Sequence, residues 1–104
     1  MKQEIIFRQG DLLMREIKEL PENLKKLSHK ILAEGEVTGH KHQFFGNVDV
    51  YENDKGKVMF EVMSANAELV HQEHKPILIG KGVYEVIKER EYNPFEEEIK
   101  QVMD

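Results

Sequence analysis

The chain has 104 residues, 39% of them hydrophobic and 34% charged, with a formal charge of −5 and no cysteine. That length holds one domain core, and the apolar share is enough to fold it. The composition excludes a disulfide scaffold, thiolate metal sites and thiol nucleophiles, and no apolar run approaches the roughly 18 residues of a membrane helix.

Nucleic acid is not an expected partner either, because phosphate recognition needs a basic stripe. The nearest basic group, Lys25, Lys26 and Lys30, is flanked by Glu22 and Glu34. The opening MKQEIIFRQGD turns polar too soon for a secretory signal. A soluble cytoplasmic protein is the expectation.

Short apolar runs separated by turn residues predict many short strands. Glu4–Phe7 and Leu12–Ile17 flank a turn at Gln9-Gly10-Asp11, and Leu20-Pro21-Glu22-Asn23 stops the second strand. Leu24, Leu27 and Ile31 have helical spacing, which predicts one helical turn after Pro21. The clearest local signal spans 47–63, where Val48 and Val50, then Val58, Phe60 and Val62, alternate with other residues around Asn53-Asp54-Lys55-Gly56. Period-two patterning on both sides of a glycine-ended turn predicts a hairpin.

Ala67–Val70 and Ile77–Ile79 read as further short strands, and Gly80-Lys81-Gly82 as a turn into a longer strand, Val83–Tyr92. That glycine pair lacks the downstream glycine, lysine and helix start of a phosphate loop. Over 93–104 the pattern changes. Asn93 suits a helix cap, Pro94 its first position, and Phe95, Ile99, Val102 and Met103 one helical face. The expected architecture is a single all-β domain over 1–104, a compact small β-barrel or sandwich with a short C-terminal α-helix at 93–104.

Four of the five histidines fall in two pairs, His40/His42 and His71/His74, while His29 stands apart. If 34–44 is one extended strand, Glu36, Thr38, His40 and His42 share a side, and neither side makes an apolar core face. Histidines two apart on a strand lie about 6.5–7 Å apart at Cα, close enough for both imidazoles to reach one ion. In the second stretch, His71-Gln72-Glu73-His74-Lys75-Pro76, either His71 and Glu73 share a strand face or His71 and His74 converge in a turn. His40, His42, His71, His74 and Glu73 are thus the candidate ligands of a divalent ion, of the types accepted by zinc, iron, manganese or nickel. No organic cofactor is indicated.

The plain alternative for each pair is a solvated surface. A second alternative is a hydrogen-bonded or proton-linked histidine cluster in a non-enzymatic, oligomeric accessory module. No reaction is assigned. Neither Ser28 nor Ser64 sits in a nucleophile elbow, and a general base would have to be Glu36 or Glu73 beside a bound metal.

The stretches Leu32-Ala-Glu-Gly-Glu-Val-Thr-Gly-His-Lys-His42, His71-Gln-Glu-His-Lys-Pro-Ile77 and Arg90-Glu-Tyr92 resemble a small family of uncharacterised microbial and phage-associated proteins. The resemblance spans roughly residues 9–93 and implies that the two histidine stretches belong to one pattern. Gly39, His40 and His42 also echo the His-x-His of cupins. Gly46-Asn47 stands where cupins carry a glutamate, so that likeness extends to the barrel fold alone.

Overall fold

A computed structural model describes residues 5–10, 12–34, 39–88 and 101–103. Among them are nine strands: β1 (Ile5–Gln9), β2 (Leu12–Ile17), β3 (Lys25–Lys26), β4 (Ile31–Glu34), β5 (Lys41–Phe45), β6 (Val48–Glu52), β7 (Val58–Val70), β8 (Ile77–Lys88) and β9 (Gln101–Met103). They form one sheet in the order β3-β6-β7-β8-β2-β1-β9, with β5 also on β7 and β4 on β5. The fold is all-β, and the sheet is curled into a half-barrel. Of the terminal helix expected over 93–104, residues 93–100 and 104 lie outside the described residues, while Gln101–Met103 pair parallel to Ile5–Phe7 of β1.

The 47–63 hairpin forms as its alternation predicts. Val48 pairs with Val62 and Val50 with Phe60, and all four side chains are buried on the concave face. The turn is held by Asn53, whose Oδ1 accepts the N–H groups of Lys55 and Lys57, both at 2.9 Å. This is the local role in which asparagine outcompetes a regular ladder.

Two sequence expectations are corrected along the same strands. Ala67–Val70 continues β7, and Ile77–Ile79 is continuous with Val83 onward in β8, so Gly80-Lys81-Gly82 is not a turn. The ladder between them slips: Val62 faces Gly82 and Asn66 faces Gly80, so β7 advances four residues where β8 advances two. A bulge of this kind bends a strand and sharpens its twist. The bend lets the first half of β7 pair with β6 and the second half with β5.

The helical turn expected after Pro21 is also absent. Lys25 and Lys26 lie extended against Glu52 and Tyr51, and Leu27 N–H donates to Val50 O at 2.8 Å. Sheet pairing satisfies these backbone groups and overrides a weak local preference.

The main core fills the concave face. Phe60 lies between Phe44 and Tyr84, with ring centres 4.7 and 5.0 Å away. The Tyr84 hydroxyl donates to Gly80 O at 2.9 Å, across the bent part of β8. Burial, with the Glu16 carboxylate adding to it, pushes the Tyr84 phenol up to about 12. A smaller cluster, Ile6, Leu13 and Ile87, packs on the opposite face. Nearby, Glu85 Oε1 is shared by Arg15 Nη2 and Lys57 Nζ, both at 3.1 Å.

Candidate functional site

The two histidine stretches meet at one end of the curled sheet. The expected single strand over 34–44 is interrupted: β4 ends at Glu34, residues 35–38 lie outside the described residues, and β5 begins at Lys41. Within β5 the inward positions are His42 and Phe44, 6% and 1% exposed. The expectation that neither face belongs to the core is therefore corrected at these two residues. His40 precedes the strand, beside Gly39 with its left-handed backbone (φ 70°). His71 and His74 lie in the loop joining β7 to β8.

The curl carries the β1–β2 turn to that same loop. By strand pairing, Leu12 faces Lys88, at the end of β8 far from Ile77. Yet Gln9, the last residue of β1, donates through Nε2 to Leu69 O and to Lys75 O, each at 2.9 Å. Gln72 Oε1 accepts the Lys41 N–H at 2.8 Å and ties the loop to the start of β5.

These anchors gather four imidazoles. Ring centres are 4.3 Å apart for His42–His71, 4.7 Å for His71–His74, 5.6 Å for His40–His71 and 6.3 Å for His42–His74. Of the two geometries left open for the second stretch, the loop brings His71 and His74 together. Glu73 turns instead to His40, with Oε1 3.2 Å from Nδ1. His29, as expected, lies exposed and apart, its Nδ1 accepting the Ile31 N–H at 3.1 Å.

Hydrogen bonding fixes which ring nitrogens carry protons. The amide nitrogen of Gln9 faces two carbonyl oxygens, which only accept, so the atom facing His42 is the amide oxygen. Oε1 lies 2.8 Å from His42 Nδ1 and also only accepts, so Nδ1 carries the proton and the neutral ring has its lone pair on Nε2. The Glu73 carboxylate, 3.2 Å from His40 Nδ1, favours a proton on that nitrogen too. His71 has the opposite form, because its Nδ1 accepts the Glu73 N–H at 3.0 Å, leaving the proton on Nε2.

The floor of the site is the β1–β2 turn. Gly10 has a left-handed backbone (φ 64°), and a Cβ built there would lie 2.5 Å from His74 Nε2. Gln9 and Gly10 were legible in the sequence only as turn residues. The one available signal was parity: Gln9 follows Phe7 by two and so shares its inward face, where a polar residue needs partners.

The five candidate ligands are close but not yet aimed at a common point. Among the described residues, no group of three or more histidine or acidic side chains is arranged to hold a metal ion. No described helix is long and apolar enough to cross a membrane. Over residues 8–89 the chain matches the DUF8820 domain of unknown function, and it belongs to that family. No curated protein and no solved structure matches it.

Proposed function

We propose that the histidine cluster binds a divalent cation, with His40, His42 and His74 as ligands and His71 and Glu73 as the groups that orient them. The observation that carries this reading is the gathering of four imidazoles from two distant stretches at one end of the sheet. An imidazole bound at ~2.0–2.1 Å puts its centre ~3.2 Å from the ion, so two ligand rings sit about 4.5–6 Å apart for ligand angles of ~90–140°. Of the proposed ligands, His42 and His74 lie 6.3 Å apart, just beyond that range, so His74 has to turn inward for both to reach one ion.

Hydrogen bonding at the far nitrogen supports the same reading. Metal-binding histidines characteristically donate their other N–H to a carboxylate or carbonyl, which orients the ring and raises its basicity. His42 on Gln9 is held in this way, and the Glu73 carboxylate lies 3.2 Å from His40 Nδ1. His71 is the least suited, since ligation through Nε2 would put a proton on Nδ1 against the Glu73 N–H. His74 is exposed and can turn toward the ion without disturbing the core. A set of neutral imidazoles favours zinc or nickel over manganese.

Calorimetric titration of the tag-free chain with zinc and nickel tests this. One cation per chain is expected, with binding lost in the His40→Ala/His42→Ala double variant and weakened in His74→Ala. Equal uptake by the wild type and the double variant would refute the ligand set.

A second reading is favoured by the Glu73 N–H bond to His71 and by the lack of a ready-made three-donor group among the described residues. In it, the cluster is a polar packing element of a non-enzymatic, self-associating module. The same double variant would then change subunit number or stability, and the wild type would take up no cation.

A further inference from the structure

We propose that the β1–β2 turn is the positioning element of the histidine cluster, and that Gln9 sets which nitrogen of His42 faces the site. Gln9 is 2% exposed and sits on an inward strand face, where an apolar side chain of the same length would fill the space without desolvating an amide. Its three hydrogen bonds reach three separate elements: Leu69 in β7, Lys75 in the β7–β8 loop and His42 in β5.

The polarity of the amide matters as much as its size. Two donors on one atom match two carbonyls, and one acceptor on the other matches an imidazole N–H. A carboxylate at this position would set a charged oxygen against two carbonyl oxygens, and a basic side chain would offer His42 no acceptor. Glutamine alone among side chains of this length fulfils all three roles. The consequence is chemical: neutral His42 presents a lone pair at Nε2, the atom that accepts a proton or binds a cation. Gly10 serves the same site by giving the His74 ring room that any side chain would occupy.

The cation half of this inference rests on the reading under Proposed function, and the tautomer half stands without it. Long-range proton–nitrogen NMR of the imidazole rings, recorded on metal-free protein near pH 8, separates the two. Wild-type His42 is expected as the Nδ1–H tautomer, and Gln9→Met is expected to shift it toward Nε2–H. An Nε2–H wild type, or an unchanged tautomer in Gln9→Met, overturns the assignment. Should the variant fail to fold, the wild-type spectrum decides alone, since Gln9 Oε1 admits only the Nδ1–H form.

In zinc titrations the folded variant is expected to bind ~10–100-fold more weakly, the usual effect of losing such an orienting partner. Unchanged affinity would show that Gln9 does not position a ligand. A wild type that takes up no zinc removes the cation reading and leaves the spectra to decide the role of Gln9.

Discussion

Gly10 offers a test at the scale of single atoms. Two costs act on a side chain there: the left-handed backbone, about 1–2 kcal/mol for an L-residue, and the collision with His74. Gly56 separates them, because its backbone is also left-handed (φ 81°) while nothing lies within 4 Å of the Cβ position. Gly10→Ala is therefore expected to destabilise more than Gly56→Ala in denaturant unfolding. The His74 ring ends an exposed side chain and can turn aside, so adding His74→Ala should recover only a small excess, a coupling of about 0.5 kcal/mol between positions 10 and 74. Equal costs at both glycines and no coupling would mean that His74 does not rest on the turn.

At the scale of elements, the strand that departs most from its sequence pattern is β8. Two glycines around Lys81 read as a turn because glycine is the commonest turn residue. Here they lie where β8 runs opposite the bulge in β7, and the Tyr84 hydroxyl closes the bend by bonding to Gly80 O. No local signal distinguishes these cases, since a bulge is a property of two strands. The 47–63 hairpin was legible because its pairing, turn and alternation are all local. Lys25–Leu27, by contrast, was claimed by β6, a partner more than twenty residues away.

The buried Tyr84 phenol makes this bend sensitive to alkali. Its folded-state value, raised to about 12 from an ordinary 10.0, favours the neutral form in the native protein. Its contribution is thus complete below pH 10 and lost as pH rises through 12. Tyr84→Phe should lose about 1 kcal/mol at neutral pH with the Gly80 bond. Its stability should then fall less steeply between pH 10 and 12 than that of the wild type. Parallel unfolding curves over that range would show that Tyr84 ionises as it does in the unfolded chain.

For the whole molecule, the all-β class was legible from composition and patterning, and the expected barrel or sandwich is met by a sheet curled into a half-barrel, whose extent of closure was not legible. The β7 bulge bends the sheet and Gln9 ties the curled ends together, both of them long-range features. The candidate site was legible in part for the same reason. The residue types and spacing of His40, His42, His71 and His74 marked the two stretches, and the fold sets the rings of His40, His42 and His74 4.3–5.6 Å from that of His71. The supports escaped notice. A glutamine at the end of a strand looks like any other polar turn residue until its partners are known.

A cation held by the native cluster alone would also stabilise the fold, by about 2.7 kcal/mol at a hundredfold excess over Kd. The most direct measurement is elemental analysis of tag-free protein purified without chelator. Close to one transition-metal ion per chain is expected in the wild type and almost none in His40→Ala/His42→Ala. Metal-free wild type that also takes none up on dialysis against zinc or nickel would contradict it.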